Sequence, residues 1–166
     1  MRVAVQDANV LIDLLEADLL GLWFRLGIET HSTDLVVHEV RHPEQARVLS
    51  TMIQAGSLIV HSLTASRLEA VGRSASALKL SLADASAIAL AEELSAVLLS
   101  GDARVRREAQ HRGIEIRGLL WVLDEMITQG LVSPKDAAER LTRTMEAGAF
   151  LPGHECHERL RRWRDC

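Results

Sequence analysis

Apolar positions along this chain arrive in short bursts, separated by longer stretches of helical period. Residues 2–6, Ile28 to His31, Ser57-Leu58-Ile59-Val60-His61, Ala96-Val97-Leu98-Leu99 and Ile114-Glu115-Ile116 read as five short buried strands. Between the first two, Val10 to about Gly27 places Leu11, Leu14, Leu15, Leu19, Leu22 and Leu26 mainly on one side, which predicts one helix. Ser32 or Thr33 is placed to cap a helix over Asp34 to His42, which Pro43 closes, and a further helix runs to about Ala55 before Gly56. Thr64 to Leu78, the Ala-rich run Ala83 to Leu94, Asp102 to Arg112 and Gly118 to Gln129 complete the helical stretches. Strands alternating with helices predict an α/β domain with a mainly parallel sheet.

After Gly130 the pattern turns wholly helical. Ser133-Pro134-Lys135-Asp136 combines a capping Ser, a first-turn Pro and an acid three residues on. Ala137, Leu141 and Met145 follow at spacing four, and Pro152-Gly153 precedes a last helix, His154 to Trp163. Residues 1–130 are therefore expected to form the main domain, and 131–166 a helical extension packed on the core or on a partner.

Composition narrows the class. Aromatic residues are 3% and Tyr is absent, so Leu, Val, Ile and Ala must build the core of a chain that is 48% apolar. No apolar run reaches the roughly 18–20 residues that span a bilayer, and the start lacks a signal-peptide stretch, so a cytoplasmic protein without a membrane partner is expected. Cys156 and Cys166 both fall in the tail, which argues against a disulfide scaffold. His154, Cys156, His157 and Cys166 are poorly spaced for a metal, and a frayed, Arg-rich terminal helix is the expectation there. The two thiols are free to oxidise between chains. Net charge is −4, yet 17 of the 19 basic residues are Arg, and Arg104, Arg106, Arg107, Arg112 and Arg117 cluster in sequence. A guanidinium fork suits phosphate, although such a run also suits a solvated helix face.

Four acids stand out against this background. Asp7 ends the first strand and Asp102 follows the fourth, on the sheet edge where ligands bind in parallel α/β folds. Glu39 sits in the helical segment after strand two, and Asp84 in the first turn of the Ala-rich helix. Converging carboxylates repel one another by several kcal/mol, about 4 for two charges at 4 Å in a partly screened setting, so they take up protons or bind a cation. Oxygen ligands without a nearby Cys favour Mg2+ or Mn2+ over zinc. Asp13 and Asp34 are expected as surface or capping groups, and Trp23 and Trp121 as core or partner-facing residues.

Four stretches together resemble the PIN domains. They are Val5-Gln6-Asp7-Ala8-Asn9-Val10-Leu11-Ile12-Asp13, Ser32-Thr33-Asp34-Leu35-Val36-Val37-His38-Glu39-Val40, Ser81 to Ala91 around Asp84, and Leu98-Leu99-Ser100-Gly101-Asp102-Ala103-Arg104-Val105-Arg106. Order and spacing agree over residues 1 to about 125. The resemblance implies a three-layer α/β/α fold with a twisted sheet, and a Mg2+/Mn2+-dependent nuclease, usually acting on RNA. Asp7, Glu39, Asp84 and Asp102 would be the metal-binding and catalytic acids, with Asn9 and Ser100 orienting them and Arg104, Arg106 and Arg107 meeting the nucleic-acid backbone. Many small bacterial members are VapC-type toxins held by a cognate antitoxin, and the resemblance together with the apolar helices makes a homodimer of this chain an expectation. The helical extension departs from the shortest toxins. A PIN-like module that binds nucleic acid or a partner but turns over weakly is the alternative. A haloacid-dehalogenase-like phosphatase is disfavoured by Asn9, which stands where that chemistry needs a second Asp.

Overall fold

The computed structural model describes residues 2–165, so Cys166, and with it any pairing to Cys156, lies outside the described residues. Five parallel strands, β1 (Val3–Gln6), β2 (Glu29–Thr33), β3 (Leu58–His61), β4 (Val97–Leu99) and β5 (Ile116–Arg117), form one sheet in the order β3-β2-β1-β4-β5. All four strand pairings are parallel. The chain lays down β1, β2 and β3 in one direction, then returns across β1 to place β4 and β5. The reversal point falls between β1 and β4, where open parallel sheets leave a crevice at their carboxyl ends.

Alternation along β2 shows how the two faces are covered. Thr30 accepts a hydrogen bond from Trp23 Nε1 of α2 (Leu20–Phe24) at 2.9 Å, whereas Thr33 bonds Ser86 of α6 (Leu82–Leu94) at 2.7 Å. Three residues apart on a strand, these side chains point to opposite faces. On the α6 side lie α3 (Asp34–His38), α5 (Ala65–Leu78) and α7 (Ala103–His111). Across the sheet lie α1 (Ala8–Glu16), α2, α4 (Pro43–Gln54) and α8 (Leu119–Thr128). Small residues let α6 approach the sheet closely: Ala83, Ala87 and Ala91 are all buried.

The tail helices α9 (Pro134–Glu146) and α10 (Gly153–Arg164) join the same hydrophobic core. Ala137, Leu141, Cys156, Leu160 and Trp163 are buried with the α8 residues Val122, Leu123 and Met126. A double ion pair holds α10 to α8, with Arg159 and Arg162 both meeting Asp124 at 2.7–2.9 Å. The terminal helix is therefore packed rather than frayed, and the fully buried Cys156 is shielded from exchange between chains, with burial pushing its thiol up.

Besides shifts of one or two residues, as in β2, three boundaries differ from the sequence pattern. The expected helix from Val10 to Gly27 breaks into α1 and α2 at Asp18, which adopts a left-handed φ of 53°. Arg140 of α9 donates to the carbonyls of Ala17 and Asp18 at this corner, so a residue far along the chain fixes the break. The expected helix to His42 stops at His38 with Glu39 as its C-cap, and Pro43, which holds His42 extended (ψ 124°), opens the next helix. The final strand is displaced to Ile116–Arg117 by its register on β4, where Ser100 N donates to Arg117 O. Among the described residues no single helix is long and apolar enough to cross a membrane.

Candidate metal centre

Asp7 is the first residue past β1. Its amide donates to Leu99 O of β4 at 3.1 Å, which seats it at the reversal point of the sheet. One carboxyl oxygen, Oδ1, caps α1 by accepting from Val10 N at 2.9 Å. The other, Oδ2, is buried and has no hydrogen-bond partner. Asp7 is wholly inaccessible to solvent, and this burial, aided by the charges of Asp84 and Asp13, pushes its carboxyl from 3.8 up to about 7. The Ser100 hydroxyl and the Val10 amide act in the opposite direction and only partly offset it.

Ser100 is the hinge of the site. It is buried at the end of β4, its hydroxyl favours the ionised form of Asp7, and its Oγ accepts from the Asp102 amide at 3.2 Å. Asp102 in turn caps α7, with Oδ1 accepting from Arg104 N at 2.7 Å and Val105 N at 3.1 Å. The Asp102 carboxylate is thereby held in one orientation beside the strand end.

Asp84 lies in the first turn of α6, where Ser81 caps the helix by accepting from the Asp84 amide at 3.0 Å. Its charge acts on both Asp7 and Glu39. Glu39 is not inside a helix, as the pattern suggested, but forms the C-cap of α3 and is exposed. Desolvation first, and then Asp84, pushes its carboxyl up, while Arg41 pulls it down. A short relay positions these two acids relative to each other. Thr33 caps α3 through Val36 N and bonds Ser86 of α6, and Ser86 donates to Ala83 O. Asp84 thus links Asp7 on one side with Glu39 on the other, and Ser100 links Asp7 with Asp102.

Among the described residues no three of the His, Cys, Asp and Glu side chains are gathered tightly enough to hold one ion as they stand. The donor set nevertheless fits a hard divalent cation. It offers carboxylate oxygens alone, and a buried Asp7 oxygen that nothing in the protein satisfies. Asn9 is exposed on the first turn of α1. Asp13, expected at the surface, is half-buried, and burial followed by the Glu16 charge pushes its carboxyl to about 6.

The basic cluster divides in two. Arg112 is bound to Glu108 and Glu92, and the more exposed Arg117 pairs with Glu115. Arg104 donates to Lys79 O at 3.1 Å across the α5–α6 turn, Arg106 reaches Ser100 O at 3.5 Å, and Arg107 is exposed. Trp23 is fully buried and meets Trp121 edge-on at 6.4 Å, as expected of core residues.

Two features escaped the sequence reading. Gln6, beside Asp7 on the central strand, is fully buried with neither amide atom hydrogen-bonded. A polar residue in an otherwise apolar strand was the available signal. The second is the α9–α10 loop, whose Phe150 carbonyl lies 3.4 Å from where a Cβ on Gly101 would stand. The tail helices thus bring a loop onto the residue preceding Asp102.

Comparison with known proteins agrees with this architecture. Among solved structures, that of PAE2754 from Pyrobaculum aerophilum superposes with a TM-score of 0.51 at 17% identity, covering 75% of this chain and 96% of that one. At such identity the likeness speaks for the fold alone. No curated protein matches. A family model, DUF3368, described as a PIN domain, matches residues 3–165, so the match takes in α9 and α10 as well as the sheet. A match over that length places this chain in the PIN-domain family, whose members are in general metal-dependent nucleases.

Proposed function

We propose that this protein is a Mg2+- or Mn2+-dependent endoribonuclease that hydrolyses phosphodiester bonds at the acidic edge formed by Asp7, Glu39, Asp84 and Asp102, and that it acts in the cytoplasm. The observation that carries this reading is Asp7. Its carboxyl is fully buried, has an oxygen with no partner, feels the charge of Asp84, and stands where a parallel sheet binds ligands. A carboxylate so placed is costly unless a cation completes it.

Asp7, Asp84 and Asp102 would hold the ion, with Glu39 completing the set directly or through water. When bound, the ion supplies a water of lowered pKa and a Lewis-acid contact to a phosphoryl oxygen. The chain's own contribution is orientation. Ser100 fixes Asp7 and Asp102 against each other, as groups behind a metal ligand do. Arg106 and Arg107 neutralise the backbone phosphates, and binding weakens as salt rises. Arg104, tethered to Lys79 O, adds charge at the rim. Residues 131–166 serve as a helical extension on the nuclease unit of residues 1–130. A toxin role, with a cognate antitoxin as partner, falls within this reading.

One observation favours the alternative, a weakly catalytic module that binds nucleic acid or a partner: no three of these groups are gathered at ligating distance among the described residues. Cleavage of a mixed single-stranded and structured RNA pool decides between them, run with Mn2+, Mg2+ or EDTA and beside Asp7→Asn. Cleavage that requires both metal and Asp7 supports the nuclease. Retained RNA binding without cleavage in Mn2+ supports the module.

A further inference from the structure

Phe150 is the outlier among exposed apolar side chains. Val48, Ile59, Leu68 and Leu82 are each about 40% exposed, whereas Phe150 is 94% exposed. The loop that carries it is pinned at both ends. Gly148 turns the chain out of α9 with a φ of 86°, and Ala149 N donates back to Thr144 O at 3.2 Å. Pro152 opens α10. Ala149 and Leu151 are half-buried, so Phe150 is turned outward by two packed neighbours.

Its backbone lies against Gly101, the residue between Ser100 and Asp102. Arg106 approaches the same place from α7. Among the described residues its polar contact is one long hydrogen bond, 3.5 Å, to Ser100 O, which leaves the guanidinium charge without a carboxylate. An exposed aromatic residue, its backbone against Gly101, and a cation on Ser100 O therefore stand beside the residues that lead into Asp102. Single-stranded nucleic acid is bound by that pair of groups, bases stacking on the ring while the cation follows the backbone.

We infer that Phe150 is a stacking platform for an unpaired base next to the scissile phosphate, with Arg106 holding a flanking phosphate. This rests on the nuclease reading above. Loss of the ring removes one stacked base, and the energy of one such contact corresponds to roughly a 5- to 100-fold loss of affinity.

The test uses the full-length protein and a single-stranded RNA oligonucleotide carrying 2-aminopurine. Binding is measured in EDTA, and cleavage kinetics in Mn2+, for wild type, Phe150→Ala, Phe150→Leu and Phe150→Trp. Wild type and Phe150→Trp quench 2-aminopurine on binding. Phe150→Ala and Phe150→Leu lose the quench, weaken binding by roughly 5- to 100-fold and raise KM more than they lower kcat. Arg106→Gln weakens binding and flattens its salt dependence. Wild type that binds and cleaves RNA, matched by Phe150→Ala in affinity and KM, overturns the stacking role alone. So does a Phe150→Ala that leaves RNA binding intact but abolishes self-association or binding of a protein partner. Wild type that neither binds nor cleaves RNA overturns the nuclease reading beneath it.

Discussion

Replacing Asp7 by Asn should stabilise the metal-free protein at alkaline pH while abolishing its activity. The folded protein raises the Asp7 carboxyl from 3.8 to about 7, chiefly through burial. Between those values the folded state holds a proton that the unfolded state has released. The Asp7 contribution to stability is therefore greatest below about pH 4, falls as pH rises towards 7 and levels off above it. The difference between the plateaus is about 4 kcal/mol at 1.36 kcal/mol per pKa unit. Asn cannot ionise, and its Oδ1 can still accept the Val10 amide. Its Nδ2 takes the place of the unpartnered Oδ2 and costs about 1–3 kcal/mol as an unsatisfied donor. The variant should thus gain about 1–3 kcal/mol at pH 8, or roughly 2–10 °C in Tm for a domain of this size. At pH 5 most of the gain disappears. Urea unfolding of both proteins in EDTA at pH 5 and pH 8 measures this, and taking their difference removes the part of the Asp13 contribution that does not depend on the Asp7 charge. A stability difference that is the same at both pH values refutes the argument that Asp7 is a buried, reluctantly ionised carboxyl.

Ser100→Ala removes the hydroxyl that accepts the Asp102 amide and favours the ionised form of Asp7; activity should fall about 10- to 100-fold, and the acid limb of the pH–rate profile should move to higher pH. An acid limb that stays in place contradicts the link to Asp7. Gln6→Met replaces two unsatisfied buried amide atoms with an apolar side chain, and denaturant unfolding should show a gain of about 1–2 kcal/mol with an unchanged m-value. A loss of stability would mean that the amide is satisfied in solution. Thr33→Val cuts the tie to Ser86 and the cap on Val36, costing about 1–3 kcal/mol by thermal unfolding and weakening metal binding through Asp84 and Glu39. Metal affinity equal to wild type would show that this relay does not position the acids.

Much of the fold was legible because its signals are local. Thr64, Ser81 and Ser133 cap the helices their sequences announce, and Gly56, Gly113, Gly130 and Gly148 turn the chain with positive φ where the patterns end. What escaped depends on distant contacts. The Leu stripe from Leu11 to Leu26 is continuous in sequence, and nothing local marks Asp18 as a break, since Arg140 completes that corner from α9. The two-residue length of β5 is likewise decided by β4, not by its own sequence.

The candidate site was proposed from the sequence as a set of acids, without a geometry. Strand ends and caps bring Asp7, Ser100 and Asp102 together, and these follow from motifs within a few residues. The coupling of Glu39 to Asp84 does not, because it needs α3 to stop early and Thr33 to meet Ser86 across the β2–α6 boundary. Phe150 is the extreme case: its backbone meets Gly101 only because α9 and α10 pack on the core.

Titration calorimetry of Mn2+ into metal-free protein, at pH 6 and pH 8, tests most directly whether these acids form one centre. Wild type should bind, with affinity rising between the two pH values and with protons released at pH 6, because Asp7 must ionise to ligate. Asp7→Asn and Asp84→Asn should each remove that binding while remaining folded. Binding that persists unchanged in both variants, or no binding by folded wild type, would contradict a metal centre built on Asp7 and Asp84.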